Sequence, residues 1–132
     1  MIQSHKDLIV WQKGIELVLA IYQLTKDFPR EEVYGLTSQI RRAAISIPSN
    51  IAEGRNRGTR KDFAQFLRIA FGSGAELETQ LLIARKLSFG REIGYNKVAD
   101  QLGEVMRMLN AMIHKLGQNS LKARSQNLKA TL

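Results

Sequence analysis

Apolar side chains recur every three or four residues along almost the whole chain, and no stretch alternates apolar with polar. A period of 3.6 belongs to a helix and a period of 2 to a half-buried strand, so the pattern argues against sheet and predicts an all-α fold. Four helices follow. The first is expected over 4–28, with Leu8, Trp11, Ile15, Val18 and Tyr22 facing inward and Leu19 and Ile21 widening the stripe. Ser4 can cap it, with Asp7 three residues on in the acidic place of a capping box. Phe28-Pro29 stops it, because the residue before proline is pushed away from helical angles.

The second helix is expected over 32–53, turning Leu36, Ile40, Ala44, Ile47 and Ile51 inward. Pro48 lies inside it. Proline lacks an N–H and clashes one turn back, so a kink near Ala44 is expected rather than a break. Ser46 and Ser49 are placed to rebind the freed carbonyls, and Gly54 ends the helix. The third opens on Thr59-x-x-Asp62 and runs over 59–87, with Phe63, Leu67, Ala70, Gly74, Leu77, Leu81 and Ala84 inward. Gly72 and Gly74 sit mid-helix, each about 1 kcal/mol worse than alanine, which implies close approach of a neighbouring helix. A turn over 88–95 leads to a fourth helix capped by Asn96, with Val98, Leu102, Val105, Leu109, Met112 and Leu116 inward and Gly117 at its end.

Short turns between long helices predict an antiparallel, up-down four-helix bundle over 1–117 with a kinked second helix. The polar remainder, 118–132, reads as a basic, flexible tail. A chain of 132 residues can bury one domain core without staples. It has no cysteine, so disulfides and thiolate metal sites are excluded. Apolar runs are too short to span a membrane, and the N-terminus lacks the pattern of a secretory signal, so a cytoplasmic location is expected. Ile9, Leu17, Phe66, Ile69, Leu82 and Ile83 fall off the core stripes. An apolar outer face of that kind favours self-association.

The formal net charge is +8, and it is unevenly placed. Residues 41–68 hold seven cations (Arg41, Arg42, Arg55, Arg57, Arg60, Lys61, Arg68) against Glu53 and Asp62. Lys115, Lys122, Arg124 and Lys129 add a second basic region with no acid after residue 114. Two cationic regions on a near-neutral body point to a polyanion, RNA or DNA. Arg55, Arg57, Arg60 and Lys61 surround the start of the third helix, whose unpaired amides already favour phosphate. Arg68 follows two turns on, and Arg42 lies opposite the second helix's inner stripe, facing solvent or another subunit. Arg41 is expected instead to pair with Glu76 or Glu78. The competing reading is a solvated loop with weak surface pairs.

Trp11 and Tyr22 read as core residues, and no aromatic interleaves the basic loop, which argues against sequence-specific single-strand recognition. Catalysis finds no support: His5 and His114 stand at helix ends, and no metal-ligand spacing, Walker loop or nucleophile elbow occurs. No enzyme activity, cofactor or metal is expected. A protein-interaction scaffold with no nucleic-acid ligand is the alternative.

The strings DLIVWQKGIELVLAIYQLTKDFP (7–29), YGLTSQIRRAAISIPSNIAEGRNRG (34–58) and FLRIAFGSGAELETQLLIARKL (66–87) resemble a known family. It comprises the four-helix-bundle proteins encoded in intervening sequences of bacterial 23S ribosomal RNA genes, and the SIPSNIAEG string is highly specific for that resemblance. That family's glycine-tyrosine after the third helix stands displaced here, as Ser88-Phe89-Gly90 and Gly94-Tyr95. The resemblance implies a ring-like homopentamer. It also implies kinship with the accessory variability determinant of diversity-generating retroelements, a basic pentamer that binds nucleic acid and a reverse transcriptase.

Overall fold

The computed structural model describes residues 4–131, with side chains through Gln118. Helix α1 spans Ile9–Thr25, α2 Leu36–Asn56, α3 Arg60–Lys86 and α4 Glu92–Thr131; short 3-10 turns occupy His5–Asp7 and Arg30–Glu32. No strand occurs among the described residues. α4 does not end at Gly117 as expected but runs on to Thr131, and the side chains of the expected tail beyond Gln118 lie outside the described residues.

Ser4 and Asp7 do form a capping box. Ser4 Oγ accepts the Lys6 N–H at 3.1 Å and Asp7 Oδ2 accepts the Ser4 N–H at 3.2 Å. The box starts a 3-10 turn, and α1 begins only after Leu8. The inner row of α1 differs from the expected one. Val10, Gly14, Leu17, Ile21 and Leu24 are buried, whereas Ile15, Leu19 and Tyr22 are exposed and Trp11 and Val18 half-buried. Leu17 therefore belongs to the core and not to an outer face. The row turns about Gly14, where an added Cβ would come within 3.3 Å of Pro48 Cβ. A glycine adds nothing to a hydrophobicity count, yet it lets two backbones close together.

α2 runs unbroken through Pro48. Ile40, Ala44, Ile47 and Ile51 are fully buried, as the spacing predicts. Ser46 bonds across to Ser73 Oγ at 2.8 Å, and Asn50 Nδ2 donates to the Ser46 carbonyl at 2.8 Å. In α3, Leu67, Ala70, Gly74, Leu77, Leu81 and Ala84 face inward and Phe63 is half-buried. Gly74 is a close approach, since a Cβ there would lie 2.2 Å from Met106 Sδ. At Gly72 nothing in the chain lies within 4 Å of such an atom, so that expectation holds at one glycine only.

α4 starts four residues before Asn96. Ser88 (φ 63) and Gly90 (φ 75) complete the turn, and Gly94 packs on Leu24 inside the helix. Tyr95 is buried and its hydroxyl donates to the Phe89 carbonyl at 2.6 Å. Burial pushes its pKa up to about 12.

Each helix packs on two others: α1 on α2 and α4, α2 on α3, α3 on α4. Gly14 meets Pro48 while Thr25 meets Arg41; Ser73 meets Ser46 while Phe66 meets Gly54. Gly74 meets Met106 and Arg85 meets Glu92; Lys13 meets Glu104 and Asp27 meets Arg91. Within each pair of helices the numbers rise on one side as they fall on the other. The α1–α2 and α3–α4 turns consequently share one end of the bundle. The α2–α3 turn lies at the other, beside Ser4–Leu8.

Candidate nucleic-acid interface

The α2–α3 turn is built by three local choices. Gly58 sits at φ +88, a left-handed angle that costs glycine little and other residues much. Thr59 caps α3, its Oγ1 accepting the Asp62 N–H at 3.1 Å. Gly54 is buried, and a Cβ there would fall 2.5 Å from Phe66 Cβ, so α3 lies directly on the last turn of α2. The turn is thereby packed against the core.

Those cations separate into groups. Arg60, Lys61 and Arg68 are exposed and have no acidic partner among the described residues. Lys61 and Arg68 are seven residues apart and so share one outer ridge of α3. Arg57 is exposed but committed: Nε and Nη2 donate to Glu53 Oε1 at 3.1 and 2.8 Å, and Cζ lies 5.2 Å over the Phe66 ring. Arg55 is half-buried, seven residues after Pro48, which places it on the flank of α2 that faces α1. Arg42 is exposed and has no acidic partner among the described residues, but it stands fifteen residues before Arg57, about 22 Å away along the helix.

Arg41 does not pair with Glu76 or Glu78. Its Nε donates to Thr25 Oγ1 at 2.9 Å and its Cζ lies 4.3 Å over the Tyr22 ring. Position 41 is on the α1 flank of α2, whereas both glutamates belong to α3. Tyr22, expected in the core, is the exposed floor of this contact.

Two features escape a linear reading. Phe66 lies under Arg57, and His5 packs edge-on against Trp11 at 5.2 Å while its Nδ1 lies 3.2 Å from Asn56 Nδ2. Aromatic rings therefore border the basic turn, contrary to what chain order implied. The up-down topology is the signal that would have found them, because it returns the start of the chain to the end of α2. The second feature is a cleft of about 190 Å³ between α1 and α4, lined in part by Lys26, Asp27, Arg91 and Lys97, with Arg91 3.8 Å from Asp27. Its cations come from segments whose charges nearly cancel, so counting by segment hides them. Among the described residues no group of three or more His, Cys, Asp or Glu is placed to hold a metal, and no helix is long and apolar enough to cross a membrane.

Four packed helices with unpaired cations at one turn define a small, basic, all-helical protein. The chain belongs to the family of 23S rRNA-intervening sequence proteins, whose family model matches residues 6–111 and so takes in the whole basic window. A solved structure is similar: a protein of unknown function from the S23 ribosomal protein family of Bacteroides thetaiotaomicron VPI-5482. It is 26% identical, with a TM-score of 0.73, covering 80% of this chain and 96% of that one. No curated protein matches.

Proposed function

We propose that this protein is a non-enzymatic, cytoplasmic accessory factor that self-associates and holds the phosphate backbone of RNA or DNA. Arg60, Lys61 and Arg68 make the primary contacts, with Arg42 and Arg55 contributing from neighbouring surfaces, while Arg57 is engaged by Glu53. The observation that carries this reading is three exposed cations with no acidic partner among the described residues: Arg60 and Lys61 at the start of α3, where unpaired amides add their own attraction for an anion, and Arg68 two turns on. A homopentamer, as the family resemblance implies, repeats the cations five times around a ring, and a reverse transcriptase is a candidate protein partner. The combined Arg60→Gln, Lys61→Gln, Arg68→Gln variant should bind all sequences more weakly and flatten the salt dependence by roughly 0.7–0.9 per lost contact. Unchanged affinity across a salt titration would reject the assignment.

A scaffold that docks protein alone is favoured by a different observation, the exposed Ile9, Leu19, Leu82 and Ile93. Purified protein free of nucleic acid, with a protein partner retained at high salt, would support it.

A further inference from the structure

Arg57 is poorly suited to neutralising a phosphate. Two of its N–H groups already serve Glu53, and that carboxylate offsets its charge. The same contacts make it suited to something else. The carboxylate accepts from two nitrogens of the guanidinium and the Phe66 ring lies 5.2 Å from its Cζ, while the side chain stays 54% exposed. A planar cation held over a ring and open to solvent is a surface on which a nucleobase stacks. On the opposite flank of the α2 terminus, His5 stands against Asn56 and packs on Trp11. Two flat groups thus border the end of α2, with Arg60 and Lys61 exposed on the adjoining turn.

We infer that this end of the bundle takes single-stranded nucleic acid, stacking unpaired bases on Arg57 and His5 while Arg60 and Lys61 hold the phosphates between them. In a duplex the base faces are stacked on one another and unavailable. The inference rests on the backbone-binding reading above and narrows its ligand to unpaired strands.

The test uses the full chain with fluorescein-labelled 20-nucleotide oligo-uridine and a 20-base-pair RNA duplex at matched salt. The single strand should bind at least about fivefold more tightly, the smallest gain expected from stacking one base. Arg57→Lys keeps the charge and removes the plane. It should lose at least about fivefold on the single strand, lose nothing on the duplex and leave the salt slope unchanged. The single strand should also quench the fluorescence of Trp11, the chain's sole tryptophan, and His5→Ala should abolish that quenching. Circular dichroism would confirm that both variants stay folded. Equal affinity for the two ligands, or an equal loss on both in Arg57→Lys, overturns this inference. If both ligands bind alike and the triple glutamine variant releases both, the backbone reading survives and the stacking fails. If neither ligand binds, both fall.

Discussion

Gly54 and Gly72 both lie inside continuous helices, yet they answer to opposite pressures. A methyl group at Gly54 would strike Phe66 Cβ, which cannot swing aside as a side-chain tip can, so α3 would have to move. Gly54→Ala should lower stability by about 1–3 kcal/mol. Gly72 has nothing within 4 Å, and Gly72→Ala should raise stability by roughly 0.5–1 kcal/mol through helix propensity. Urea denaturation of the two variants side by side checks both signs. Arg41 teaches the same lesson about context. Its charge was legible from chain order, but its partner was set by the flank of α2 it occupies, and one position on, Arg42 is exposed to solvent.

Among the elements, α2 and α3 were legible because their inner rows consist mostly of Ile, Leu and Ala, which no other helical row on those segments matches. α1 was not. Trp11-Ile15-Val18-Tyr22 and Val10-Gly14-Leu17-Ile21-Leu24 both step by three and four, and bulk alone favours the first. Packing chose the second, because only Gly14 admits Pro48. At the start of α3, Thr59→Ala removes the acceptor for the Asp62 N–H and should cost about 1 kcal/mol, measurable by thermal unfolding. Tyr95 ties the start of α4 to the α3–α4 turn through Phe89. Its folded pKa, about 12, lies above the ordinary tyrosine value of 10.0, so the unfolded chain loses its proton first. The contribution is whole below pH 10 and disappears as pH rises towards 12. Tyr95→Phe should flatten that alkaline decline in a pH series of denaturant midpoints.

For the whole molecule, the outward row of α1 matters most. Ile15, Leu19 and Tyr22 lie on a surface where Ile45 of α2 is also exposed, while Ile69, Leu82 and Ile83 are exposed on α3. Leu19→Glu or Leu82→Glu should reduce the mass measured by light scattering while leaving the helical signal intact. An unchanged mass in both would remove these faces from any assembly. The candidate site was half legible at this scale. Charge counting found the window, but whether a cation is open, paired or turned to another flank depends on contacts between residues far apart in the chain.

One contact also bears on how the protein is handled. Because His5 lies against Asn56, a purification handle fused ahead of Ser4 would emerge at the basic end of the bundle rather than at a neutral extremity. An oligohistidine or acidic leader placed there would crowd the very surface under assay and imitate a loss of affinity.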